Sequence, residues 1–259
     1  MALGSQGRHE QSARSDQDNA LVLDDSATDA DDGYFEALAR IVNDGLDACG
    51  YVYCPGDVMA SNPKWRKPLE VWKKYFNNWI TVPEEKALMH ANIFFDLRCV
   101  YGDTGLVDTL KESIRTDAKR NELFLALMAK NAMNFQPPLG FFRQFVLEKS
   151  GEHKNTLDIK KHGFMPIVEI ARIRALAAGE VRITTRNRLR AAAKAGEITK
   201  PDAASLIDAL DFIEKLRIEH QNRQLHAGKR PDNHLSPDEL SSLVRHNLKS
   251  AFNQVSVSQ

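Results

Sequence analysis

The sequence has no excess of charge of either sign. Its 35 Lys and Arg residues balance 35 Asp and Glu residues, for a formal net charge of +0. That argues against the broad basic surface that a long nucleic acid requires. Cysteine is scarce. Cys49, Cys54 and Cys99 are joined by no C-x-x-C spacing, which excludes a zinc cage or a disulfide framework of the usual kind. They read as reduced, partly buried thiols of a cytoplasmic protein. Long apolar runs are missing too. None approaches the ~20 residues of a membrane span, and no secretory signal is visible. What remains is 259 residues, 42% hydrophobic and 27% charged. That is the composition of a soluble globular chain, long enough for one large domain or two small ones.

Against this plain background the amino-terminal stretch stands out. Gly4-Ser5-Gln6-Gly7-Arg8 places two glycines and a serine together, which suits a tight turn that aims N–H groups at a phosphate. Asp16 and Asp18 follow, just ahead of the apolar run Leu21-Val22-Leu23. On a strand, positions i and i+2 point to one face, so the two carboxylates project side by side. Like charges that close are costly unless a cation lies between them. Hard oxygen ligands suit Mg²⁺, which carboxylates and substrate phosphates usually hold together. Turn, carboxylate pair and strand, in that order, predict a nucleoside triphosphate site with a metal. A solvated loop carrying D-x-D by chance is the bland alternative.

Further along, Asp24 to Asp32 reads as an acidic loop rather than a second metal site. Phe35, Leu38, Ile41, Val42 and Leu46 have helical spacing over 34–49. Tyr51 to Cys54 reads as a short strand. Leu69, Trp72, Tyr75, Phe76 and Trp79 give a helix over 68–80 with a wide aromatic face, better explained by core packing than by base stacking. Asp96 and Arg98 sit in an apolar run and need a partner; an ion pair and a phosphate contact from Arg98 both remain open. From Gly105 onward the pattern is mostly helical. Thr184 or Thr185, Thr199 and Ser236 are the candidate caps, the last as a capping box opening the final helix. Gly163 and Pro166 interrupt the helical pattern of 159–178. Arg186, Arg190 and Lys194 share one helix face, and Arg217, His220, Gln221 and Gln224 form a second polar stripe.

G-S-x-G-R-x-E-Q followed by S-D-Q-D-N-A-L resembles the signature of polymerase-β-type nucleotidyltransferases. It is most similar to the branch of protein-PII uridylyltransferase and glutamine-synthetase adenylyltransferase, and to the bacterial nucleotidyltransferases that often carry CBS domains upstream. The resemblance continues through Cys54 to Pro63, Phe94 to Arg98, Pro138-Leu139-Gly140-Phe141-Phe142, and Leu216-Arg217 with His220-Gln221. It implies an α+β fold: a small mixed-sheet nucleotidyltransferase core over 1–103, then a mainly α-helical bundle over 104–259 that binds substrate. Such relatives carry a helix before the glycine turn, so this chain reads as a late start or a fragment. They also draw a third carboxylate from a neighbouring strand. Cys54 occupies that position here, leaving Asp57 as the expected third ligand and Asp96 as its rival.

The expected enzyme moves a nucleoside monophosphate from a nucleoside triphosphate to a hydroxyl acceptor. Asp16, Asp18 and Asp57 are its metal and catalytic residues. Gly4, Ser5, Gly7, Arg8 and Arg98 are its substrate contacts, and Mg²⁺ is its cofactor. The resemblance points to a regulatory protein such as protein-PII as the acceptor. The rival expectation is a catalytically weak module that binds a nucleotide or a partner. Neither expectation involves a long nucleic acid or a membrane.

Overall fold

The computed structural model describes residues 1–13, 15–140 and 144–259, and all of their side chains except those of Glu85 and Lys86. Phe141 and Phe142, from the Pro138–Phe142 stretch above, lie outside the described residues. The chain forms two compact units, Met1–Leu127 and Met128–Gln259.

The axis of the first unit is the extended backbone from Asp16 to Leu23. Its downstream end is β1 (Leu21–Leu23), which pairs in parallel with β2 (Arg66–Pro68), Leu21 lying opposite Arg66. Upstream, Gln17 bridges Tyr53 in parallel, and its N–H donates to the Val52 carbonyl at 3.0 Å. On the other edge Ala2 makes antiparallel bridges to both Asn19 and Arg98. Single bridges with two directions thus make a small mixed sheet. Tyr51 to Cys54 contributes to it through this one bridge, rather than as a full strand.

Helices surround this axis: α1 (Gly4–Gly7), α2 (Asp32–Ala48), α3 (Leu69–Thr81), α4 (Glu85–Phe94) and α5 (Thr104–Lys119). The aromatic face of α3 is core. Trp72, Phe76 and Trp79 are buried with Trp65 and Phe94, and the Trp72 indole N–H donates to the Leu21 carbonyl at 2.9 Å. α5 packs on α3, so the helical region that the sequence reading starts at 104 begins inside the first unit. α2 departs from its spacing in a different way. The helix is there, but Ile41 is 72% exposed and Leu38 and Val42 lie outward with it. Ala39 and Asn43 take the buried positions.

After α6 (Glu122–Ala132), the second unit opens with β3 (Leu157–Asp158), paired antiparallel with β4 (His234–Leu235). Four helices follow β3 and pack on one another: α7 (Met165–Ala178), α8 (Thr185–Ala195), α9 (Lys200–His226) and α10 (Ser242–Ser258). Their apolar stripes meet in one core containing Ile167, Leu189, Leu206, Leu210, Ile213, Leu248 and Phe252. Gly163 and Pro166 do not break the chain. Residues Lys160–Phe164 widen into a π-type turn that runs into α7, with Pro166 in the first helical turn. Gly163 suits this close packing, because a Cβ would fall 3.0 Å from the Phe252 ring and press on it.

Local caps behave as expected at two helices. Thr184 accepts from the Asn187 N–H and Thr199 from the Asp202 N–H, both at 3.2 Å. Ser236 is a correction. It starts an isolated 3₁₀ turn over Pro237–Glu239, which ends when Leu240 turns extended to bury its side chain. The helix proper begins after Ser241, whose hydroxyl accepts from the Val244 N–H.

Candidate active site

Alternation along the extended segment sorts its side chains. Asp16 and Asp18 point one way, and Cys54 reaches the same place from the turn after Tyr53. The two carboxylates and the sulfur each offer a ligand atom, and all of these atoms lie within 4.8 Å of one another. Gln17 and Asn19 point the opposite way, into a buried polar network. The Gln17 amide donates to the Asn43 and Tyr51 carbonyls, each at 3.0 Å. Asn43, from α2, donates to Gln17 at 2.7 Å and to Asn19 at 3.0 Å. Asn19 Oδ1 also accepts from the Ala60 N–H. Every bond on the buried face restrains the rotation of the segment, and so keeps Asp16 and Asp18 facing outward together. The spacing that identified the carboxylates carried no signal for Asn43, which lies among apolar residues on α2.

The glycine turn is a single turn of helix, and its two glycines do different work. Gly4 has φ +54°, a left-handed conformation that favours glycine, and a Cβ there would lie 3.0 Å from Asp18 Oδ2. Its bareness lets the turn approach the carboxylates. Gly7 makes room elsewhere: a Cβ would fall 2.0 Å from the Asp96 carbonyl oxygen. The Gly7 N–H is spent on the Leu3 carbonyl at 2.9 Å. Ser5 is half-buried in the same turn.

Arg8 is placed where a phosphate contact was not expected to leave it: inside. Its guanidinium pairs with Glu10 at 2.7 Å and with Asp96, and all three residues are at most 3% exposed. Asp96 therefore has a partner, as a charge in an apolar run must, but that partner is Arg8 rather than Arg98. Arg98 fastens the turn from outside it. Its Nη2 donates to the Gln6 carbonyl at 3.0 Å and its Nε to the Gly7 carbonyl at 3.3 Å. Both arginines thus bind the turn to the segment at 96–98.

Neither carboxylate considered for the third position joins Asp16 and Asp18. Asp96 is held by Arg8. Asp57 closes the turn that begins at Cys54, its N–H donating to the Cys54 carbonyl at 2.9 Å. Its exposed carboxylate accepts from Asn62 at 2.8 Å, and its φ of 55° is left-handed. The turn geometry that Pro55-Gly56 sets up explains this position better than ligation does. Among the described residues, Cys54 is the third member of the group. Burial pushes its thiol up to about 12, helped by the negative charge of Asp18 and the hydrogen bond to it.

The group fits a divalent cation by its donor chemistry. Two carboxylates supply hard oxygens, and the thiol adds a softer donor that a bound metal would deprotonate. Gly4 leaves open the space beside Asp18 that any other residue would fill. The remaining cysteines are free thiols. Among the described residues, no helix is long and apolar enough to cross a membrane.

The polar stripe on α9 belongs to its own unit. Arg217 Nε donates to Asn233 at 2.7 Å, His220 Nε2 lies 3.2 Å from Asp232 Oδ1, and the Gln221 amide donates to Asn233 at 3.1 Å. Burial works against the Asp232 charge, but the His234 N–H with the Gln224 and His220 side chains outweighs it and holds the carboxyl below its usual range. The stripe ties the segment leading to β4 onto α9.

The comparison with protein families accords with this division. Residues 1–86 match the family described as "Putative nucleotidyltransferase DUF294", and residues 122–259 match "Putative nucleotidyltransferase substrate binding domain". No curated protein matches the chain. The second match alone spans more than half of the sequence, and the first contains Asp16, Asp18 and Cys54. The chain belongs to this nucleotidyltransferase family, with a catalytic-type region followed by its substrate binding domain.

Proposed function

We propose that the protein transfers a nucleoside monophosphate from a nucleoside triphosphate to a hydroxyl group on a regulatory protein, in the manner of protein-PII uridylyltransferase, and releases pyrophosphate. The observation that carries this reading is the convergence of Asp16, Asp18 and Cys54 beside Gly4. Asp16 and Asp18 would hold the divalent cation, Mg²⁺ in the first instance. That cation supplies charge neutralisation across the phosphates as the new bond forms. Ser5 and the leading N–H groups of α1, which have no partner within a helical turn, hold the terminal phosphates. The carboxylate nearer the acceptor hydroxyl takes up its proton. Arg8 and Arg98 act on this site through the position of the turn.

Incubation with labelled nucleoside triphosphates, a candidate acceptor and Mg²⁺ or Mn²⁺ tests the reading, with pyrophosphate release as the second readout. Asp16→Asn and Asp18→Asn should each lower transfer by roughly 10²-fold or more while leaving the melting temperature in place. Transfer at the wild-type rate in either variant would remove the metal assignment.

The second reading is a catalytically weak nucleotide-binding module. It draws on Cys54, because a protonated thiol is a poorer magnesium donor than a carboxylate. Nucleotide binding without pyrophosphate release, restored to turnover by Cys54→Asp, would select it.

A further inference from the structure

An open groove of about 530 Å³ lies between the end of α8 and the start of α9 in the second unit. Its floor consists of short and aliphatic side chains, including Ala193, Ala203 and Ile207. Arg190, Lys194 and Lys200 line it as well, against the single carboxylate of Asp208.

The balance of charge along α8 is uneven. Arg186, one turn before Arg190, is neutralised by Asp211 at 2.6 Å and Glu214 at 2.5 Å. Arg190 meets only the neutral Asn187 among the described residues, at 3.4 Å. Lys194 and Lys200 are exposed and form no ion pair among the described residues. Lys194 lies in the last turn of α8, where a cation suits the helix dipole, but Arg190 one turn earlier and Lys200 in the first turn of α9 gain nothing of that kind. The apolar floor is the outer edge of the α8–α9 core, where Ala193 and Ile207 are only partly covered.

We propose that this groove docks an acidic, amphipathic segment of the acceptor protein. Apolar side chains of that segment would lie on the Ala193–Ile207 floor and its carboxylates on Arg190, Lys194 and Lys200. This deepens the functional reading above, since it rests on the acceptor being a protein. A free nucleotide matches the groove poorly, because among the described residues no aromatic ring lines it for a base. A nucleic acid matches it poorly as well, because three cations in one groove of a chain with net charge +0 do not make a backbone track.

Fluorescence anisotropy of a labelled helical peptide of glutamate and leucine tests the proposal on the full-length protein. The expected result is binding that weakens with salt, and an affinity lower by roughly tenfold or more in Arg190→Glu/Lys194→Glu/Lys200→Glu. The same peptide with glutamine in place of glutamate should bind no better to wild type than to that variant. The milder Lys194→Gln/Lys200→Gln guards against misfolding and should give an intermediate affinity with an unchanged circular dichroism melt. Equal affinity in wild type and variants overturns the proposal. So does displacement of the peptide by inorganic triphosphate at matched charge, which would mark a small-anion site. Leucine-free polyglutamate binding as tightly would mark a charged surface without a docking floor. The pyrophosphate assay on wild type separates the two readings: peptide binding without pyrophosphate release in the presence of nucleoside triphosphate and Mg²⁺ or Mn²⁺ overturns only the transferase reading, and loss of groove-dependent binding overturns only the docking site.

Discussion

Around Asp16 and Asp18 the first unit holds its backbone through single bridges, an Asn–Gln network and a buried Arg8–Glu10–Asp96 cluster. The second unit fills a continuous apolar core from Leu157 to Val255 with four helices in series. One arrangement fixes where a few polar groups point. The other fixes a scaffold, in which the Glu169–Arg172 pair of α7 is buried within the packing while Arg186 is paired at the surface. On the function proposed above, the difference follows from what each must present. A reacting centre needs carboxylates held at a stated spacing, and directional bonds do that. A binding surface needs a rigid shape, which side-chain packing supplies.

The comparison breaks most sharply at its buried charges. Arg8→Ala should cost about 3–5 kcal/mol, because it leaves Asp96 and Glu10 charged and buried. Arg186→Ala, which removes a half-exposed pair from the second unit, should cost no more than about 1 kcal/mol. Urea denaturation of the two variants reads the contrast directly, and equal losses would put both pairs in the same class. Gly7→Ala comes next, at about 1–3 kcal/mol, since its Cβ must displace the Asp96 carbonyl. Gly4→Ala should also weaken nucleotide binding, because its added carbon crowds Asp18; isothermal titration with a non-hydrolysable triphosphate would show it. Thr199→Ala should cost about 1 kcal/mol through the lost cap of α9, and Thr199→Ser should restore it. The smallest effect at neutral pH belongs to Cys54→Ser. The folded thiol holds its proton up to about 12, against an ordinary 9.0. Its stabilising contribution is therefore complete below pH 9 and lost as pH rises from there towards 12, where the unfolded chain sheds the proton first. Urea midpoints should fall more steeply over that window in wild type than in the serine variant.

Local signals were legible, and long-range ones were not. Asp16 and Asp18 were readable because strand alternation is a property of adjacent residues. Thr199 was readable because a cap and its N–H lie within one turn. Cys54 was visible only as a missing carboxylate, since nothing local says which distant turn arrives beside the pair. Asp57 followed the right strand but was consumed by its own turn. Arg8 looked like a phosphate ligand because glycine, serine and arginine together usually do. Its buried partner Asp96 lies far along the chain. In α2 the spacing located the helix but misjudged its facing, because Asn43 occupies a buried position that an apolar pattern cannot announce.

The neighbour that Asp18 gives Cys54 also decides how this end of the molecule ages. Peroxide attacks the thiolate, and a thiol pushed up to about 12 offers almost none of it at neutral pH. With no metal on it, the sulfur beside the carboxylate pair is therefore the slow one to oxidise, while Cys49 stands exposed just past the end of α2. Under oxidant, the first sulfenic acid should form at a distance from the carboxylate pair, and the centre itself should outlast the surface around it.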